Sequence, residues 1–291
     1  MIALLLVASL FTLRAWQTST AQEQQATFKT GVDLVRIDAL VTVAGEPVAG
    51  LGPNDFEVID NGVPQKVEMA GPESRFNVIL VLDVSGSVKG ERLTQLVDGV
   101  SALLGQLKTG EQASLVAFND DVALRVPMTA DAATVKRALA NIQPGGDTSM
   151  FDALFSSLSL AADNMRSLVL LYSDGADNAS WLSGAQVIDL ARRADVVICP
   201  VAVGVSPGST RRSALFLEAV ADQTGGRLFH AEATKPLRTS MVQVLTEFRS
   251  RYLIGYVPSG VGRDDGWHKV ELRVKGRKAN VRAKDGYMSQ R

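Results

Sequence analysis

Phe76-Asn-Val-Ile-Leu-Val-Leu-Asp83 is the stretch on which the fold turns. Apolar side chains fill both alternating sets of positions, so neither face of this strand can be left in water. A central strand of a parallel sheet has this character when helices cover both of its faces. The polar turn Val84-Ser85-Gly86-Ser87 follows at once. Beyond it Leu93, Leu96, Val97, Val100, Leu103, Leu104 and Leu107 recur at the helical period. Gly110 ends that stripe, and ASLVAFN (113–119) reads as the next strand, with Asp120-Asp121 as a turn between strands. Helices are expected over 131–141, 150–164, 184–194, 212–223 and 235–250. Between them lie the strands SLVLLYSD (167–174), DVVICPVAVG (195–204) and GRLFHA (226–231). This alternation predicts an α/β fold over 76–248: a doubly wound, mostly parallel, Rossmann-like sheet with helices on both faces.

Outward from that centre the pattern changes to strands. In residues 32–43, Val35, Ile37, Ala39, Val41 and Val43 alternate with Arg36, Asp38 and Thr42, the period of a half-buried strand. FEVID (56–60) and PQKVEMA (64–70) flank Asn61-Gly62, a strong hairpin signal. Past residue 249 come RYLIGYVP (251–258), WHKVELRVKG (267–276) and KANVRAKDGYM (278–288). Neither flank has enough strands to stand alone. Residues 33–75 and 249–291 are therefore expected to pair into one small β-sandwich, with the α/β domain inserted between them. Trp267, Tyr252, Tyr256 and Tyr287 read as its core, and His230 and His268 as half-buried strand residues.

At the N-terminus, residues 2–13 form an apolar run too short to cross a bilayer, which takes about 20 residues. It fits the core of a secretory signal spanning 1–21, cleaved after Ala21, although no Lys or Arg precedes it. Residues 22–32 then form a linker. The expectation is an exported protein, periplasmic or secreted, with no membrane span in the mature chain. Charge is balanced, 30 Lys and Arg against 31 Asp and Glu, which gives no reason to expect nucleic acid as a partner. Cys199 is the single cysteine, so no intrachain disulfide forms, and its apolar surroundings suggest a small buried hydrophobe.

The chemistry lies in three loops at the expected carboxyl edge of the sheet, where α/β folds bind ligands. They are Asp83-Val84-Ser85-Gly86-Ser87, Gly145-Gly146-Asp147-Thr148-Ser149 and Ser173-Asp174-Gly175. Asp83, Ser85, Ser87, Thr148 and Asp174 offer two carboxylates and three hydroxyls, hard oxygen donors suited to Mg²⁺, with Mn²⁺ or Ca²⁺ as alternatives. Alternate residues of an extended turn project to one side, so Asp83, Ser85 and Ser87 can face one ion. Gly86, Gly145 and Gly146 are read as the residues that let the loops turn. Few carboxylates would leave the ion net positive, with a position open to an acidic group of a partner.

These positions resemble the metal-ion-dependent adhesion site of the von Willebrand factor type A domain: D-x-S-x-S at 83–87, the threonine at Thr148 and the last aspartate at Asp174. GEPVAGLGPNDFEVIDNG before the centre and YLIGYVP after it resemble an exported bacterial family, the VWFA-related acidobacterial domains. The resemblance implies a Mg²⁺ at the sheet edge and a partner protein whose Asp or Glu carboxylate is the last metal ligand. It implies binding without catalysis. Taken singly the residues are less telling, since Ser87 reads equally well as an N-cap for the helix at 91. Asp177 and Asn178 read as loop and cap residues, and Asp147 and Asp152 as solvated surface beside the site. Two other readings use the same residues. One is a Mg²⁺-dependent phosphohydrolase with Asp83 as nucleophile, which would want an acid where Ser85 stands. The other is a structural scaffold whose metal staples the three loops.

Overall fold

A computed structural model of the chain describes residues 34–289, apart from 74, 162–164, 205–210, 232–235 and 263–265. The expected signal and linker lie outside the described residues, as does the end of the helix expected over 150–164. β1 (Val35–Val43) alternates as expected at first, burying Val35, Ile37, Ala39 and Val41, although Val43 emerges into solvent. The two-residue β2 (Glu46–Pro47) folds back on its end. β3 (Phe56–Asp60) and β4 (Val63–Gln65) are joined by Asn61-Gly62. Their φ angles of 45° and 84° are the paired left-handed values of a type I′ hairpin. The single strand expected over 64–70 is two: β4 ends at Gln65, and β5 (Val67–Pro72) belongs to a different sheet.

β6 (Phe76–Asp83) is buried at every position. Phe76, Val78, Leu80 and Leu82 enter one apolar core, while Ile79 and Val81 enter another. After it come α1 (Glu91–Leu104), β7 (Gln112–Phe118), β8 (Val122–Thr129), α2 (Ala132–Ala140) and α3 (Met150–Leu158). β9 (Arg166–Ser173), α4 (Gly184–Arg193), β10 (Val197–Val203), α5 (Arg211–Gln223), β11 (Phe229–Ala231) and α6 (Leu237–Arg249) complete this part. The strands lie in the order β11-β10-β9-β6-β7-β8. Four of the five neighbouring pairs are parallel, and β7–β8 is antiparallel, so the sheet is mixed. The turn at 119–121 explains the exception, because a parallel return needs a dozen residues or more. Leu96 of α1, Val135 of α2 and Met241 of α6 join the first core. Leu154 of α3, Val187 of α4 and Val220 of α5 join the second. From β6 the chain runs outward to β7 and β8, then returns to β9 on β6's other side. The loops after β6 and β9 therefore diverge and open a crevice between them.

The last strands are β12 (Tyr252–Tyr256), β13 (Trp267–Val274), β14 (Asn280–Arg282) and β15 (Gly286–Met288). They combine with the first strands into two sheets, β14-β1-β12-β5 with β2 beside β1, and β15-β13-β3-β4. Both sheets contribute to a third core: Ile37, Tyr252 and Ile254 from one, Phe56, Val58 and Val270 from the other. Within it lies a polar knot, buried at Asp60, Tyr256 and His268 and half-buried at Tyr287. Asp60 accepts hydrogen bonds from the hydroxyls of Tyr256 and Tyr287, each at 2.9 Å, and lies 2.9 Å from His268 Nδ1. The histidine expectations need correction, because His268 is wholly buried beside a carboxylate and His230 is exposed. Trp267 is half-buried beneath the guanidinium of Arg192, 3.7 Å from its ring centre. Cys199 is buried as expected, and burial pushes its thiol up to about 11.

Where the two-sheet part meets the α/β part, Asp38 is bound by two arginines. Arg166 Nε lies 2.6 Å from Oδ2 and Arg251 Nε 2.5 Å from Oδ1. Both arginines are almost completely buried. Their remaining N–H groups donate to the carbonyls of Glu73, Phe248, Asp38, Gly225 and Arg282. Removing one partner of a buried charge cluster leaves the others uncompensated, at a cost of about 3–5 kcal/mol. Asp38→Ala should lose stability of that size in urea unfolding. Asp222→Ala, which breaks the exposed pair with Arg282, should cost under ~1 kcal/mol. Equal losses would show that the junction carries no special weight.

Candidate metal centre

Asp83 ends β6 at its carboxyl end, 1% exposed, and its position follows from the strand: the residue after the last core leucine must emerge at the crevice. Its Oδ1 accepts the Ser85 backbone N–H at 2.9 Å, and its Oδ2 accepts the Ser173 hydroxyl at 3.0 Å. Ser85 is also buried, and its Oγ lies 3.2 Å from Oγ of the exposed Ser87. Asp174 follows β9, half-buried, with Oδ1 accepting the Ala176 N–H at 3.0 Å. Thr148 is buried in the loop leading to α3.

Backbone hydrogen bonds join the three loops. Gly86 N–H donates to the Gly146 carbonyl, and Gly145 N–H to the Val84 carbonyl, both at 2.9 Å. The Thr148 carbonyl accepts the N–H groups of Asn178 and Ala179 at 3.0 and 3.1 Å, while Thr148 N–H donates to Asn178 Oδ1 at 2.8 Å. The structure thus brings the loops of all the expected site residues to one edge. The roles of the glycines differ from expectation, since Gly146 takes a left-handed φ of 77° and Gly86 does not.

Burial pushes the Asp83 carboxyl up; Ser85 and Ser173 pull it down by hydrogen bonding, and the nearby Asp174 charge raises it again. The charge acting on this buried carboxylate is thus another carboxylate. Two acids that repel one another, beside hydroxyls, are a donor set that a hard cation would relieve. By contrast, no cluster of three or more His, Cys, Asp or Glu arranged for a metal exists among the described residues. The two carboxylates and three hydroxyls at this edge are hard oxygen donors, and they fit an oxygen-coordinated divalent ion.

Several supporting residues carry no clear sequence signal. Asp120 binds the Asp147 N–H, and Asn119 Nδ2 donates to the Gly145 carbonyl at 2.9 Å. Asp177 Oδ2 accepts the Phe151 N–H at the start of α3 at 2.9 Å, as a cap residue should. Asp152 is no solvated surface acid, because its two oxygens accept the N–H groups of Trp181 and Leu182 at 2.9 and 3.0 Å. Asp147 accepts from Asn178 Nδ2.

Residues 78–176 match the family model of the von Willebrand factor type A domain, so the chain carries such a domain. Domains of this class serve protein interaction and adhesion and commonly bind a divalent metal. Inter-alpha-trypsin inhibitor heavy chain H2 of Mus musculus is 34% identical over 113 residues, covering 34% of this chain and 12% of that protein. The match thus spans a small part of that relative's length. A von Willebrand factor type A structure from Catenulispora acidiphila aligns with a TM-score of 0.53 at 12% identity, over 88% of this chain and 75% of that one. Proximal thread matrix protein 1 from the mussel byssus, solved with zinc occupying its MIDAS motif, aligns with a TM-score of 0.51 at 16% identity. It covers 63% of this chain and 48% of that one. Identities this low speak for the fold alone.

A buried carboxylate facing a second one should be a burden to the metal-free fold. In EDTA, Asp83→Asn should melt at or above the temperature of the unaltered chain. Saturating Mg²⁺, at about 100 times its Kd, should stabilise the unaltered chain by ~2.7 kcal/mol and leave the variant unmoved. Calorimetric melting with and without Mg²⁺ checks both; an Asn variant that melts well below the unaltered chain in EDTA would count against this account.

Proposed function

We propose that the chain is an exported, non-catalytic binding module that captures a partner protein by an Asp or Glu carboxylate through Mg²⁺. Asp83, Ser85, Ser87, Thr148 and Asp174 hold the ion, and residues 76–248 form a doubly wound von Willebrand factor type A domain inserted in a small β-sandwich of 33–75 and 249–291. Residues 1–21 act as the export signal and 22–32 as a linker. The observation that carries this reading is the buried Asp83 at the tip of the central strand, bonded to the Ser85 N–H and the Ser173 hydroxyl and repelled by the nearby Asp174. When bound, Mg²⁺ supplies a positive charge with a coordination position open to the partner.

The residues divide the work in a way that favours binding. Asp83 and Asp174 supply two negative charges, which balance a divalent ion without exceeding it, and the neutral Ser85, Ser87 and Thr148 leave its shell open to an acid oxygen of the partner. Ser85 stands where a phosphohydrolase of this edge geometry would want a second acid. As for a metal staple, backbone bonds such as Gly86 N–H to Gly146 and Asn178 N–H to Thr148 already join the loops. That leaves the ion little to staple.

The test is affinity capture from the source cell envelope on the immobilised chain, in Mg²⁺ and in EDTA, beside Asp83→Ala. Capture should appear in Mg²⁺, fall at least tenfold in EDTA and be absent with the variant. A partner retained equally in EDTA would sink the metal-bridged mechanism, and turnover of a generic phosphoester abolished by Asp83→Asn would revive the enzyme reading.

A further inference from the structure

Folding draws nothing from the side chain of Trp181. It is 97% exposed, and its indole makes no hydrogen bond or ring contact among the described residues. Its backbone, in contrast, is held on every side. The N–H groups of Trp181 and Leu182 both donate to Asp152 on the first turn of α3. Upstream, Ser180 Oγ donates to Asp177 at 2.6 Å, and Ala179 N–H donates to the Thr148 carbonyl. Downstream, Ser183 and Gln186 form the capping box that opens α4. A large aromatic ring is thus presented to water on a fixed backbone.

Its place is set by the same bonds. Ala179 is tied to Thr148, and Trp181 is two residues further on, within about 7 Å along the chain at 3.3–3.6 Å per residue. Asp174, at the other end of the loop, belongs to the candidate metal centre. A partner chain whose carboxylate reaches that centre is therefore within reach of the indole as well. An extended segment advances about 3.3 Å per residue, so the side chain that meets Trp181 lies two or three residues from the carboxylate. Rigid, exposed Trp is the residue type that most often dominates protein interfaces, because covering it removes much apolar surface at little entropic cost.

We propose that Trp181 is an aromatic anchor for the partner, and that the partner is a protein segment carrying a large apolar residue two or three positions from its metal-reaching Asp or Glu. This rests on the metal-dependent binding proposed above. The test uses an array of synthetic decapeptides with one fixed central Asp and all other positions randomised. It is probed with the full chain in Mg²⁺, in EDTA, and with the variants Trp181→Ala, Trp181→Phe and Asp83→Ala; Mg²⁺ binding to each protein is titrated separately by calorimetry.

The unaltered chain should select Phe, Trp, Leu, Ile or Met two or three positions from the Asp. Trp181→Ala should bind Mg²⁺ unchanged and still require the Asp, yet lose the apolar preference and bind the best peptides about tenfold or more weakly. Trp181→Phe should keep most of the preference. Identical peptides selected with identical strength by Trp181→Ala would overturn the proposal while leaving the metal reading intact. An apolar preference that survives EDTA and Asp83→Ala would overturn the metal reading, and the proposal with it.

Discussion

Two guanidinium groups share the single carboxylate of Asp38, and the placement of the whole α/β part depends on how that arrangement is balanced. One carboxylate cannot neutralise two buried cations. The excess is offset by carbonyl dipoles, those of Glu73 and Phe248 around Arg166, and those of Asp38, Gly225 and Arg282 around Arg251. Those carbonyls come from β1, from the segment leading into β6, from the turn after α5, from the end of α6 and from β14. Elements of two different apolar cores, β6 and α6 on one side and β1 and β14 on the other, are therefore drawn to one point. Arg166 opens β9, the strand that ends at Ser173 and delivers Asp174, so the strand is fixed at one end by charge and presents chemistry at the other. Its eight residues set these ends roughly 26 Å apart.

Between those ends the strands are mostly apolar, and this makes the carboxyl edge distinctive. β6 and β9 are buried at all positions, so polar groups can emerge only beyond their last core residues. Asp83 is held there at the cost of desolvation and of Asp174's repulsion. Asp120, Asn119, Asp177 and Asn178 spend their side chains on backbone groups of the same loops. The loop conformation is thus maintained by the protein's own hydrogen bonds, leaving the hydroxyls and carboxylates at the crevice to meet a ligand.

Much of this can be read from the chain, and the exceptions have one kind of cause. FNVILVLD announces a strand covered on both faces because burial is written in the strand's own residues. Asn61-Gly62 announces its hairpin for the same local reason. Asp83, Ser85, Ser87, Thr148 and Asp174 stand out because their spacing and their positions after apolar strands are local too. What fails depends on partners far along the sequence. Asp38 looks like a polar alternate on a solvated face, since nothing nearby points to Arg166 or Arg251. His268 looks half-buried until Asp60, two hundred residues away, is placed beside it. Asp152 and Asp120 pass for surface acids because the N–H groups they hold belong to other loops. The hairpin of β7 and β8 was legible as a turn at Asp120-Asp121, but not as the one antiparallel pair of an otherwise parallel sheet.

The chain leaves the two-sheet part through β5 and comes back through β12, and these strands are direct neighbours, with Pro72 opposite Tyr252. Any tension applied at the crevice would reach both strands at the same end and along their length. Pulled together, they do not slide past one another. The shear falls instead on the pairing of β12 with β1 and on the apolar core behind it, with the Asp38 cluster clamping the same end. A domain hung from two adjacent strands in this way is a mechanical coupling, able to bear a load from the ligand side without being peeled open one strand at a time.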